Sequence, residues 1–230
     1  MAYRKETIAE YIAKVKNEVK KANAGKEMEL SISQGNKKIG RVLNVSLPPI
    51  LTCHNCSKCK HLCYDIKANI QYPNVREARA RNLAILKADR QKYFGQIRGK
   101  CRRRRKNKYF RWHVAGDIIA KWYLAEMVNI AREFPDFVFW TYTKAYNLVN
   151  AYVSNCGGTK EAAIPSNLII MFSEWRGMPM NNPYGFPEFR VVFKDDTIKP
   201  AGYYCPGNCD ICKRNGRGCI GGETTYCHEH

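Results

Sequence analysis

The chain has 230 residues, 45% of them hydrophobic, with 14 Tyr, 9 Phe and 4 Trp, which suits one domain, or one domain with a small appendage, around a real core. It holds no run of 18 apolar residues, which excludes a transmembrane helix and a membrane partner, and its start, Met1-Ala2-Tyr3-Arg4-Lys5-Glu6, lacks the apolar stretch of a signal peptide. An odd count of 11 cysteines argues against a disulfide framework, so a cytoplasmic chain is expected, and a formal charge of +19 directs attention to phosphate-bearing partners.

Residues 6–24 read as an amphipathic helix, with Ile8, Ile12, Val15, Val19 and Ala22 recurring every three or four residues and Gly25 as its stop. Met28, Leu30 and Ile32 alternate with polar residues, Gly35-Asn36 turns the chain, and residues 39–47 form the second strand of a hairpin. Pro48-Pro49 ends that strand just ahead of the first cysteines. A long helix opens at Pro73-Asn74, with Asn74 and Glu77 as a capping pair, and runs through Val75, Ala78, Ile85, Leu86, Tyr93, Phe94 and Ile97 into a basic run. A strand over 109–114 follows, then a helix over 121–131 with Asp117 at its cap position, an apolar strand over 137–142 and a helix over 146–152. A buried strand over 168–172, a Gly/Pro/Asn-rich loop over 177–187 and a strand over 189–193 complete the pattern.

Apolar strands alternating with helices imply an α/β fold, either a short parallel sheet covered by helices or a partial (βα) barrel. Three segments are expected: an N-terminal helix and β-hairpin over 1–47, an α/β core carrying the first cysteine group over 48–198, and a cysteine-rich metal-binding tail over 199–230. In such folds the loops after the carboxyl ends of the strands build the active site. Those loops hold Gly116, Asp117, Thr143, Lys144, Ser173 and Glu174, the candidates for lining the active site, with Glu174 as a carboxylate at its mouth. His113, at a strand end beside the Gly-Asp turn, and Asp117 are the catalytic candidates; a satisfied core histidine and a helix cap are their structural alternatives.

Eight cysteines form two groups. The first, Cys53-x2-Cys56-x2-Cys59-x3-Cys63, matches the run that wraps a four-iron cluster in bacterial ferredoxins, with Tyr64 where proline usually follows. Thiols this dense pair poorly as disulfides, because bridged Cα atoms need about 5.5 Å in suitable directions. Zinc is the alternative metal, although structural zinc sites usually draw cysteine pairs from separated places. If only Cys53, Cys59 and Cys63 bind, one iron stays open and Cys56 is spare; a helix beginning at Cys59 would put Cys59 and Cys63 on one face. The second group, Cys205-x3-Cys209-x2-Cys212-x6-Cys219, offers four ligands for a closed cluster or for zinc. Cys227, His228 and His230 offer an extra ligand set, but terminal residues fray, and the three read as without function. Cys101 reads as an exposed thiol among arginines, and Cys156 as structural.

Nine Lys or Arg residues lie between Arg98 and Arg111, centred on Arg102, Arg103, Arg104, Arg105 and Lys106. The run is either a solvated helix end or a phosphate-contacting stretch, which makes nucleic acid or a nucleotide a candidate partner.

Several segments taken together carry a resemblance: Leu47-Pro48-Pro49, then Cys53, Cys59 and Cys63-Tyr64, then Tyr72-Pro73-Asn74-Val75-Arg76 with Ala78-Arg79-Ala80-Arg81-Asn82-Leu83, then His113-Val114-Ala115-Gly116-Asp117, then Phe139-Trp140-Thr141-Tyr142-Thr143-Lys144. Over roughly residues 40–220 the chain resembles the gene product 88 proteins of bacteriophages and prophages, which implies the cytoplasm of a host bacterium. More distantly, the layout is similar to radical S-adenosylmethionine (SAM) enzymes. That similarity implies an open-iron cluster after the first barrel strand that binds and reductively cleaves SAM. It also implies Gly116-Asp117 at the methionine amine, Thr143, Lys144 or Ser173 at the rest of the nucleotide, an auxiliary C-terminal cluster and an external electron donor. The expectation is an iron–sulfur enzyme with one or two four-iron–four-sulfur clusters. The competing expectation is a non-catalytic nucleic-acid binder stabilised by zinc or iron–sulfur.

Overall fold

The structure, a computed structural model, describes residues 7–23 and 28–229. Glu6, Ala24, Gly25 and His230 lie outside the described residues, and with them the expected ends of the first helix. Helix α1 (Ile8–Asn23) opens on a capping box that periodicity alone does not reveal: the Glu10 amide donates to Thr7 Oγ1 (3.2 Å) and the Thr7 amide to the Glu10 carboxylate (2.8 Å). Strands β1 (Ile32–Asn36) and β2 (Gly40–Val45) form the expected hairpin, but its turn lies at 37–39 rather than at Gly35-Asn36. Asn36 closes that turn, its Oδ1 accepting from the amides of Lys38 (2.9 Å) and Ile39 (3.1 Å). Gly35 sits at a bulge with φ +109°, where a Cβ would lie 1.8 Å from the Gly40 carbonyl oxygen.

The expected single long helix is two, α3 (Pro73–Ala88) and α4 (Arg90–Arg103), preceded by a short α2 (Tyr64–Gln71). The break is at Asp89, which adopts an extended conformation and caps α4 by accepting from the Lys92 amide at 2.8 Å. Asn74 is not the cap of α3: Tyr72 holds that place, with Pro73 in the first turn. Then come β3 (Tyr109–Trp112), α5 (Lys121–Glu133), β4 (Val138–Thr143), α6 (Tyr146–Asn155), α7 (Lys160–Ala163), β5 (Leu168–Ser173) and β6 (Glu188–Val192). The tail adds β7 (Tyr203–Tyr204), α8 (Cys209–Asn215) and β8 (Thr225–His228), none of which the sequence pattern announced.

All eight described strands join one sheet in the order β1-β2-β3-β4-β5-β6-β8-β7, parallel throughout except for β1. The sheet therefore runs through all three expected segments. Strands β2 to β6 neighbour one another in chain order, and alternation along each strand sends side chains to two different layers. Phe110, Trp112, Phe139, Ile170 and Phe172 join Tyr93, Phe94, Tyr123 and Met127 of the helices in the main core. Each such buried side chain contributes roughly 1.5–3 kcal/mol of transfer free energy. Tyr109, Trp140, Tyr142 and Ile169 face the other way and are covered by Cys209 and Ile220 of the tail. The tail is thus a third layer on the mixed α/β fold. No described helix is long and apolar enough to cross a membrane.

Candidate functional site

The first cysteine group lies on the loop that leaves β2. That loop crosses the ends of the neighbouring strands, and four contacts fix its course. The Leu47 amide donates to the Ala115 carbonyl (3.0 Å), Asn55 Nδ2 to the Lys144 carbonyl (2.7 Å) and Tyr64 Oη to the Val114 carbonyl (2.9 Å), while Lys58 Nζ lies beside Gly177. Gly116 makes the approach possible. At φ +85° it carries no Cβ, which would stand 2.7 Å from Thr52 Oγ1 and 2.8 Å from Leu47 Cβ.

All four thiols are partly buried. Burial pushes Cys53, Cys59 and Cys63 above the usual thiol range, and neighbouring thiols add to it: Cys56 and Cys63 act on both Cys53 and Cys59. The group is therefore a mutually interacting set. It is not presented on one helix face: Cys59–His61 is a 3₁₀ turn, and Cys63 stands in extended conformation at the start of α2.

Beside the thiols, the strand-end candidates form one network. Asp117 is 4% exposed and accepts three hydrogen bonds, from the Ile118 amide (2.7 Å), Thr143 Oγ1 (2.6 Å) and the Lys144 amide (2.9 Å). It ties the end of β3 to the end of β4; it does not cap α5, whose cap position is Ala120. Burial nonetheless holds its carboxyl above the ordinary range, and its charge in turn raises Cys53. Lys144 Nζ donates to Ser173 Oγ at 2.6 Å and lowers the pKa of Cys59 and Cys63. Tyr146 Oη donates to the Ser173 carbonyl, and Glu174 pairs with Arg190 at 3.2 Å. Gly116, Asp117, Thr143, Lys144 and Ser173 thus meet the first cysteine group at one end of the sheet, with Glu174 at its margin.

The second group folds against the sheet face away from the helices. Cys205 influences Cys209, Cys219 and Cys227, while Cys212 influences Cys209 and exchanges a hydrogen bond with Tyr203 Oη at 3.3 Å. Burial pushes Cys219 and Cys227 up to about 11. Cys227 is not frayed: it lies on β8, between β6 and β7. Lys144 acts on Cys227 as well as on Cys59 and Cys63, so one ammonium serves both groups. Among the described residues, no three His, Cys, Asp or Glu side chains are gathered closely enough to hold one metal ion as they stand.

Among the described residues, three buried donors near the thiols have no hydrogen-bond partner: Tyr11 Oη, Arg111 Nε and Trp140 Nε1. Tyr11, 0% exposed on α1, lies within the electrostatic influence of Cys53 and Cys63. Trp140 packs in the cluster that Cys209 joins. Arg111 forms no ion pair among the described residues; burial disfavours its charge, and Tyr142, Tyr64, Cys209 and Cys219 support it.

Other candidates stand apart. His113, 3% exposed at φ +52°, is wedged between Tyr123 Oη (3.1 Å from Nε2) and Thr141 Oγ1 (3.4 Å from Nδ1), and burial holds it neutral with a pKa down to about 3. Cys101 is not an exposed thiol: it points from α4 into the core, and burial pushes it up to about 12. Cys156 is exposed. In the basic run, Arg102, Arg103, Arg105 and Lys106 are exposed; Arg102 bonds to Glu133 (2.5 Å) and half-buried Arg104 to Gln34 (2.8 Å). The run precedes β3, at the opposite end of that strand from Gly116 and Asp117.

A family model described as gene product 88 matches residues 13–204. The span includes the first cysteine group and every strand-end candidate, and it stops just before Cys205. No curated protein and no solved structure matches the chain, so the more distant resemblance to radical SAM enzymes draws no support from them.

Proposed function

The chain belongs to the gene product 88 family, and from the geometry of its thiols we propose that it is an iron–sulfur enzyme of radical-SAM-like type. Cys53, Cys59 and Cys63 hold the reactive four-iron cluster, Cys56 is spare, and the C-terminal group holds a second centre. One observation carries the reading: a single loop brings four mutually interacting thiols against the polar ends of β3, β4 and β5. When bound, such a cluster supplies an electron to a ligand at its open iron.

The donor set fits an anionic iron–sulfur group. Tyr11 Oη, Arg111 Nε and Trp140 Nε1 are buried donors without acceptors among the described residues, and sulfur atoms of a cluster accept such bonds. The supply of all four thiols from one short loop suits it as well, because a cubane spreads its thiolates over four irons, whereas structural zinc usually draws cysteine pairs from separated places.

The chain's own residues then divide the work. Lys144 and Ser173 offer an ammonium and a hydroxyl to the carboxylate and ribose of a nucleotide-bearing cofactor. Gly116 clears the space beneath Thr52. Asp117, whose oxygens are already taken by three donors, positions the β4 end and Lys144 rather than binding the methionine amine. His113 sits in the wall and takes no chemical part.

The test is anaerobic reconstitution with iron and sulfide. The expected results are charge-transfer absorption, an electron paramagnetic resonance signal that changes on adding SAM, and deoxyadenosine release under reductant. Replacing Cys59 or Cys63 by Ala removes all three. The competing reading, a metal-stabilised nucleic-acid binder gripping phosphates through Arg103, Arg105 and Lys106, predicts a colourless zinc protein whose DNA affinity falls steeply with salt.

A further inference from the structure

We propose that Cys227 is a ligand of the C-terminal metal centre. The inference rests on the reading of that cysteine group as a metal centre and adds to it a strand residue well separated in sequence from the other thiols. Strand pairing carries it. In the parallel pair of β7 and β8, Tyr203 is level with Thr225 and Tyr204 with Tyr226, and the Cys205 amide continues the ladder by donating to the Tyr226 carbonyl at 2.7 Å. One further step in that register sets Cys205 beside Cys227 on adjacent strands, which run about 4.8 Å apart. Because side chains alternate along a strand, Tyr203 and Cys205 share a face with Thr225 and Cys227.

Two further thiols approach that face. Cys219 lies close enough to Tyr142 and Thr225 for both to bear on its thiol, the Thr225 hydroxyl itself donating to the Glu223 carbonyl at 2.9 Å, and Tyr203 Oη bonds to Cys212 Sγ at 3.3 Å. Cys219 is 7% exposed and Cys212 is 6% exposed. Cys227 is itself held in the middle of paired backbone, level with Val191 of β6, so its position does not depend on a fraying end. Cys227 on β8 and Cys205 just past β7 therefore offer two neighbouring thiols, and Cys205 lies within electrostatic reach of Cys209, which opens α8, and of Cys219 in the 3₁₀ turn Gly218–Gly221. Cys205, Cys209, Cys219 and Cys227 then make four candidate ligands that draw together on binding, while the Cys212 sulfur is bonded to Tyr203.

Thiol footprinting on the full-length protein tests this without altering it. Metal-loaded protein is treated with iodoacetamide and mapped by mass spectrometry, then treated again after the metal is stripped with a chelator under reducing conditions. Exposed Cys156 reacts in both and serves as the internal standard. Cys227 is expected to be protected together with Cys205, Cys209 and Cys219, its alkylation slowed roughly tenfold or more against the stripped state. Protection of those three while Cys227 reacts at the rate of Cys156 overturns the inference and leaves the metal centre standing. No change at any of the four on stripping overturns the centre itself. A Cys227→Ser variant gives an independent reading: metal per chain falls by one centre's worth while the first group's share stays, and undiminished metal content refutes the assignment.

Discussion

Gly116→Ala probes the closest contact between the cysteine loop and the sheet. The added Cβ would stand 2.7 Å from Thr52 Oγ1, 2.8 Å from Leu47 Cβ and 3.0 Å from the Leu47 carbonyl oxygen, on a backbone at φ +85°. The left-handed conformation costs about 1–2 kcal/mol for a residue with a Cβ. Overpacking against backbone and a short side chain adds about 1–3 kcal/mol, because neither Leu47 nor Thr52 can swing away as a long side chain would. The total is about 2–5 kcal/mol, which for a domain of this size lowers the melting temperature by about 4–20 °C. Gly158→Ala is the matched control: its φ is +74°, and its Cβ would meet nothing within 4 Å. It bears the backbone strain alone, so the difference between the two variants isolates the steric part, about 1–3 kcal/mol. Thr52 precedes Cys53, so the same clash is expected to lower metal bound by the first group and leave the C-terminal share intact. Scanning calorimetry and metal analysis on both variants check this. Equal melting temperatures for Gly116→Ala and Gly158→Ala would refute the claimed packing under Thr52.

Further outcomes follow from the buried groups. His113 is neutral when folded, with its pKa down to about 3, while an unfolded histidine titrates near 6.5. The unfolded chain therefore binds the extra proton between those values, so stability falls as pH drops below about 6.5, by up to about 1.4 kcal/mol per pH unit; His113→Asn, which tolerates the left-handed backbone, is expected to flatten that slope in urea titrations at pH 7 and 5. Asp65→Asn removes the counter-ion of Arg79, paired at 2.6 Å with side chains 5% and 10% exposed, and is expected to cost about 3–5 kcal/mol in denaturant unfolding, with partial recovery on adding Arg79→Met. Arg111→Met is expected to weaken metal binding at the C-terminal centre by about 10–100-fold in competition with a chelator, leaving the first group unchanged.

What the sequence made legible follows from which patterns are local. Strands β3, β4 and β5 announce themselves because each is a compact apolar run, and their order along the chain is their order in the sheet. The strand-end residues followed from that order, which is why Gly116, Asp117, Thr143, Lys144 and Ser173 fall together. The break at Asp89 was hidden because Ile85 and Leu86 on one side, and Tyr93 and Phe94 on the other, all belong to the same core and mimic one continuous stripe. Cys101 was misread because its neighbours in sequence are not its neighbours in space: the helix turns Cys101 inward and Arg102 and Arg103 outward. Asp117 looked like a helix cap because only the tertiary fold brings Thr143 and the Lys144 amide to it. The tail escaped entirely, since β7 and β8 are two and four residues long and owe their conformation to pairing with each other and with β6.

Charge pairing distinguishes the two ends of the molecule. Near the start of β3, Arg98 and Arg102 are answered by carboxylates, Arg98 by Glu126 and Glu133 and Arg102 by Glu133. Among the thiols, Arg111 and Lys144 form no ion pair among the described residues, and Asp117 spends its oxygens on a hydroxyl and two amides. Both side chains are half-buried, a cation drawn partly out of water without an anion is costly, and 39 basic residues against 20 acidic ones leave few carboxylates to spare. Asp65 acts on Arg111 but is already paired with Arg79, and the thiols are the further source of negative charge, although burial keeps Cys53, Cys59, Cys63, Cys209, Cys219 and Cys227 protonated at neutral pH when nothing is bound to them. Metal ligation deprotonates a thiol outright. Loading the two groups would therefore supply the anions that Arg111 and Lys144 lack, and binding should be coupled to release of several protons, measurable by calorimetry in buffers of different ionisation enthalpy. Proton release that does not rise with metal bound would mean that the two cations are balanced in some other way.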